Sequence, residues 1–91
     1  MEIIAMRAYV SGKVQGVCFR EYTRRKAVEL GIDGWVRNLS DGRVEVLAQG
    51  ERALIQEFIK WLHVGSPYAQ VSHVETKRED CLETMGFSIL F

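Results

Sequence analysis

The hydrophobic period of this chain changes across one stretch, Gly12-Lys13-Val14-Gln15-Gly16-Val17-Cys18-Phe19-Arg20. Before it, Met6, Ala8 and Val10 alternate with Arg7, Tyr9 and Ser11, the period of two that marks a half-buried strand. After it, Phe19, Tyr22 or Thr23, Ala27 and Leu30 recur at helical spacing, and Gly31 stands where a left-handed cap ends a helix. Gly12 and Gly16 allow the connecting backbone to fold into a concave turn, because glycine tolerates φ angles that other residues resist. Successive N–H groups in such a turn can converge on one point and form an anion nest. The helix that follows adds its unpaired amides and the positive end of its dipole. Arg20 then sets a permanently charged planar fork, shaped for phosphate or carboxylate, at the rim. The stretch reads as a preorganised oxyanion cradle, although the same residues fit an ordinary strand-to-helix turn beside a solvated arginine.

Familiar nucleotide motifs do not account for the loop. A P-loop needs Gly-Lys-Ser/Thr at a spacing absent here, and the dinucleotide fingerprint Gly-x-Gly-x-x-Gly is missing. The RNA-recognition pattern, with stacking aromatics at alternating strand positions, is not met either. Twelve basic and twelve acidic residues cancel, so no global field draws nucleic acid or a membrane surface. Arg24, Arg25 and Lys26 read as a solvated helix face that could also steer small anions.

The remaining periodicities set the fold class. Residues 32–38 read as a second strand, and Leu39-Ser40-Asp41-Gly42 carries an Asp-Gly hairpin signal. Residues 43–50 form the return strand, with Val44, Val46 and Ala48 on one face. A second helix is predicted over about 51–64, with Leu54, Phe58, Trp61 and Leu62 as its apolar stripe and Gly65-Ser66-Pro67 ending it. Residues 71–78 read as an edge strand and 79–85 as an irregular connection. Phe87, Ile89 and Phe91 alternate in a final short strand. The order β-α-β-β-α-β plus a short C-terminal strand predicts an α+β, ferredoxin-like α/β sandwich, a mainly antiparallel sheet with two helices on one face. At 91 residues and 47% apolar content, one domain over 1–91 with one modest core is expected.

Cys18 and Cys81 form no Cys-x-x-Cys pair and do not suggest a disulfide scaffold. No signal-peptide pattern or membrane-length apolar run is visible, so a cytoplasmic monomer is expected, and the Asn38-Leu39-Ser40 sequon reads as coincidence. His63 and His73 lack close-spaced metal partners, and Glu45 and Glu75 form no recognisable acid–base pair, so neither metal nor cofactor is expected. Cys18 lacks the spacing to Arg20 that cysteine-dependent phosphatases use.

A second constellation, Gly34-Trp35-Val36-Arg37-Asn38 followed by Gly42-x-Val44, ends at the hairpin. The neutral amide of Asn38 can hold a water by its carbonyl oxygen without transferring a proton. Asparagine also forms turns by bonding its own backbone, and alone that is the simpler reading.

Together, Gly12-x-Val14-Gln15-Gly16-Val17-x-Phe19-Arg20 and Gly34-Trp35-Val36-Arg37-Asn38-x-x-x-Gly42-x-Val44 resemble the two signatures of the acylphosphatase family, and the element order and length match it. The resemblance implies a metal-independent hydrolase that splits acyl phosphates into a carboxylate and inorganic phosphate. It places Arg20 as the phosphate-binding arginine and Asn38 as the residue that positions water. The amides of Gln15, Gly16, Val17, Cys18 and Phe19 would line the cradle, with inorganic phosphate or sulfate as product-like ligands. Two positions depart from the family pattern. Cys18 stands where many relatives carry glycine, and Leu39 stands where a threonine is frequent. A non-catalytic phosphoanion-binding regulatory module is the alternative, and kinship with the acylphosphatase-like domain of hydrogenase-maturation carbamoyltransferases is a third possibility.

Overall fold

The computed structural model describes residues 2–91, so residue 1 of the expected 1–91 unit lies outside the described residues. The elements run β1 (Ile3–Lys13), α1 (Phe19–Leu30), β2 (Asp33–Asn38), β3 (Val44–Glu51), α2 (Arg52–Leu62), β4 (Gln70–Glu79) and β5 (Phe87–Leu90). They build one five-stranded sheet in the order β4-β1-β3-β2-β5, antiparallel throughout except where β5 runs parallel to β2. The predicted element order and edge position of β4 are both realised.

Register explains why one sheet face closes on the helices. Ala8 pairs with Val46, Val46 with Val36 and Val36 with Ile89, so these side chains form one row on the helix side. The adjacent row carries Tyr9, Glu45, Arg37 and Leu90 on the opposite face. Helix α1 packs on β2 and β5, while α2 packs on β1 and β3. From α1 the core receives Phe19, Thr23 and Ala27. Thr23 is compatible with the interior because its hydroxyl donates to the Phe19 carbonyl at 2.8 Å. The buried residues of α2 are Ile55, Phe58 and Leu62, with Leu54 and Trp61 half-buried. The expected stripe therefore needs one correction: Ile55 points inward, whereas Leu54 lies at its margin. Neighbouring aliphatic positions lie 100° apart around a helix, and composition alone does not decide which one faces the sheet.

Phe58 meets Phe87 of β5 edge-on at 6.0 Å between ring centroids, which ties α2 to the last strand. Burying a side chain of this size is worth about 1.5–3 kcal/mol. Gly31 caps α1 in the left-handed conformation as expected, and its N–H bonds the Val28 carbonyl. On the open face, Glu45 is only 3% exposed and bonds both Arg7 and Arg37 at 2.6 Å. Arg7 also bonds Glu79 at 2.7 Å, and both arginines lie against Trp35. Burial opposes the charge on Glu45, but Arg37 and Arg7 together outweigh it and hold its carboxyl below its ordinary value. Among the described residues no helix is long and apolar enough to cross a membrane.

Candidate active site

The loop between β1 and α1 begins at a bulge, where the pairing of β1 with β4 shifts between Ser11 and Gly12. Gly12 has φ 120°, and a Cβ there would fall 2.2 Å from the Gln70 carbonyl oxygen, so only glycine lets the two strands approach. Beyond it, Val14, Val17 and Phe19 are buried. These three anchors turn the intervening Gly16 and Cys18 outward, where both are exposed. The loop is also fastened from behind, because the buried Ser66 hydroxyl donates to the Val17 carbonyl at 2.7 Å. Phe19 packs on Trp61 with 6.1 Å between ring centroids.

Gly16 and Cys18 both take left-handed conformations, with φ 73° and 61°. Cys18 occupies the N-cap of α1 and makes no side-chain cap bond. Alternation of conformation in such a turn aims successive N–H groups toward one side. Among the described residues, the turn, loop and cap hydrogen bonds include none donated by the amides of Gln15 through Glu21. The donors of the loop and of the first helical turn are thus available to an anion.

A cavity of about 280 Å³ opens over this loop, lined by Gly16, Cys18, Phe19, Arg20, Asn38 and Phe91 among others. The fold thereby brings Arg20, at the start of α1, and Asn38, at the end of β2, to one concave surface. Among the described residues the Asn38 carboxamide has no protein hydrogen-bond partner, so the turn-forming role that suited it in isolation is not adopted. Arg20 is held by the last strand. Its Nη1 donates to the Leu90 carbonyl at 3.0 Å, and its guanidinium carbon lies 4.9 Å from the Phe91 ring centroid. The basic residues after it serve the helix surface instead: Arg24 and Arg25 pair with Glu21, and Lys26 pairs with Glu29.

Ser66, Leu90 and Phe91 belong to the site's support, and local sequence patterns did not assign them to it. Gly65-Ser66-Pro67 carried a helix-stop signal that concealed the role of the serine. Leu90 acts through its backbone carbonyl, which leaves no trace in residue type. Among the described residues, no group of three or more His, Cys, Asp or Glu is arranged to hold a metal ion.

The acylphosphatase family model matches residues 6–89. The chain belongs to the acylphosphatase family. It is an enzyme of the acid-anhydride hydrolase class, with the fold expected from its sequence. An acylphosphatase from Acaryochloris marina is 51% identical over 88 residues, covering 97% of this chain and 95% of that relative. The crystal structure of the Bacillus subtilis acylphosphatase superposes with a TM-score of 0.93 at 37% identity, covering 97% of this chain and 99% of the other. HypF in a phosphate- and nucleotide-bound form also contains a similar unit, with a TM-score of 0.91 and 25% identity. That match covers 99% of this chain and 12% of HypF.

Proposed function

We propose that this chain hydrolyses the carboxyl–phosphate bond of small acyl phosphates by direct in-line attack of a water molecule. The loop amides of Gln15, Gly16, Val17, Cys18 and Phe19, together with Arg20, hold the phosphoryl group. Asn38 aims the water. The single observation that carries this reading is the shared cavity, lined by Arg20, by loop residues Gly16, Cys18 and Phe19, and by Asn38, whose carboxamide has no hydrogen-bond partner among the described residues.

The chemistry asks for little more. Water forms a bond to phosphorus as the bond to the acyl oxygen breaks, giving a carboxylate and dihydrogen phosphate from the acyl phosphate dianion. The leaving carboxylate is the conjugate base of an acid with a pKa of about 4, so no general acid is required. What remains is to hold the phosphoryl group, neutralise charge on its equatorial oxygens and fix the line of attack. Cradle amides and Arg20 supply the first two, and a neutral carboxamide supplies the third without repelling an anionic substrate. A preorganised donor of this kind is typically worth roughly 2.7–4 kcal/mol of barrier.

The test pairs steady-state hydrolysis of benzoyl phosphate with competitive inhibition by inorganic phosphate, in wild type, Asn38→Ala and Arg20→Ala. Loss of Asn38 is expected to depress kcat by about 10²–10³-fold with phosphate affinity nearly intact, because its interaction is made mainly in the transition state. Loss of Arg20 is expected to weaken both. Wild-type turnover by Asn38→Ala would remove the water-positioning role, and phosphate binding without any hydrolysis by wild type would favour a binding module.

A further inference from the structure

We infer that the Gln15 side chain is a positioning residue, which locks the cradle loop to the hairpin that carries Asn38 and so sets the water's line of attack. The inference rests on the function proposed above and gives a role to a side chain that touches neither water nor phosphate, while only the backbone amide of the same residue belongs to the cradle.

The Gln15 Nε2 donates one hydrogen bond to the Leu39 carbonyl at 2.8 Å and another to the Arg43 carbonyl at 2.9 Å. A carboxamide nitrogen has two hydrogens, and both are committed here. The two acceptors face each other across the neck of the hairpin, where the Leu39 N–H also bonds the Arg43 carbonyl at 2.8 Å. Leu39 directly follows Asn38, so the tether acts one residue from the proposed water-holding amide. Gln15 itself directly follows Val14, one of the buried anchors of the cradle. Among the described residues these two bonds are the hydrogen bonds that join the 14–20 loop to the 38–43 hairpin.

The consequence follows from how the site is divided. Phosphate would be held by the 15–20 loop and water from the end of β2, and among the described residues the Asn38 side chain has no protein partner to correct a misplaced backbone. In-line displacement tolerates little error, since a shift of about 1 Å between reacting groups can cost on the order of 10²-fold in rate. Removing the tether leaves the cradle's own anchors at Val14, Val17, Phe19 and Ser66 in place. The damage therefore falls on alignment rather than on phosphate binding.

The variants are Gln15→Ala and Gln15→Met, the second retaining side-chain length without either donor. Each is expected to lower kcat for benzoyl phosphate by about 10–100-fold while the phosphate inhibition constant stays within about threefold of wild type. Because Gln15 acts through Asn38, adding Gln15→Met to Asn38→Ala should slow the enzyme no further than Asn38→Ala alone, as expected for residues that work as a unit. In the wild type, saturating phosphate should also slow hydrogen exchange at the Leu39 amide, a readout that needs no variant to fold. Unchanged kcat, a weakened phosphate constant with kcat intact, multiplicative losses in the double variant, or unaltered exchange would each overturn the inference. A full-rate Asn38→Ala enzyme would overturn the underlying function instead, which keeps the two failures distinct.

Discussion

Replacing Phe91 by alanine should weaken phosphate binding by a small, calculable factor while leaving the fold untouched. The ring lies 4.9 Å from the Arg20 guanidinium and is fully exposed to solvent, so its removal opens no core cavity. A cation–π contact at an exposed site is worth about 0.5–1 kcal/mol. The hydrogen bond from Arg20 Nη1 to the Leu90 carbonyl survives the substitution, because that acceptor belongs to the backbone. Only the ring's share of the preorganisation is lost, which sets a ceiling of about two- to fivefold on the phosphate inhibition constant, since 1.36 kcal/mol corresponds to tenfold. The assay is competitive phosphate inhibition of benzoyl phosphate hydrolysis, run beside thermal melting. Phe91→Tyr should restore wild-type inhibition, because it keeps the ring. The same measurement in an Arg20→Ala background should show no effect of residue 91. A loss much larger than fivefold, or an equal loss without Arg20, would refute the idea that the ring acts by holding this guanidinium.

Other expectations test the scaffold and the chemistry. Glu45→Gln should destabilise the fold by about 1–3 kcal/mol at neutral pH, through loss of charge-assisted bonds to Arg7 and Arg37. Its carboxyl is held below the ordinary value of 4.5, so this contribution is present above that value and fades as pH falls through the lowered one. Urea titrations of wild type and variant should therefore converge in acid, and parallel curves down to low pH would contradict the pairing. Cys18→Gly should raise stability by about 0.5–1 kcal/mol, the left-handed strain of about 1–2 kcal/mol less the extra entropy glycine loses on folding. Calorimetry checks this, and an unchanged or lower melting temperature would show that the φ of 61° carries no strain. Chelator treatment should leave turnover unchanged, and a loss restored by one divalent ion would overturn the proposed chemistry.

Much of this architecture was legible because the chain's periodicities are local. Met6, Ala8 and Val10 announce β1, and Gly31 and the Asp41-Gly42 pair end their elements by backbone chemistry that does not depend on distant residues. The proposed cradle was legible for the same reason, since its glycines, Arg20 and the helix start are contiguous. Asn38, inside the second motif, read as a site residue only when the two motifs were taken together. What local reading missed depends on register. Glu45 looked like one more strand carboxylate until pairing set it opposite Tyr9 and Arg37. Leu90 reaches Arg20 across 70 positions, through a carbonyl that every residue type shares. The Gln15 side chain spans 24 and 28 positions to its two acceptors, a distance at which no spacing rule applies.

The parallel pairing of β5 with β2 places the contact that holds Arg20 on an outer strand of the sheet. Leu90 sits beside Arg37, so the final strand and the strand ending in Asn38 run to the same rim. β5 is a four-residue edge strand with one partner, and short elements of this kind open early in native fluctuations. While that strand is open, Arg20 loses both its bond to the Leu90 carbonyl and the Phe91 ring, so the proposed phosphate-holding arrangement exists only in the docked form. An anion held by Arg20 binds the docked form better than the open one, and by mass action slows the strand's departure. Substrate and product would thus act as a latch on this edge strand.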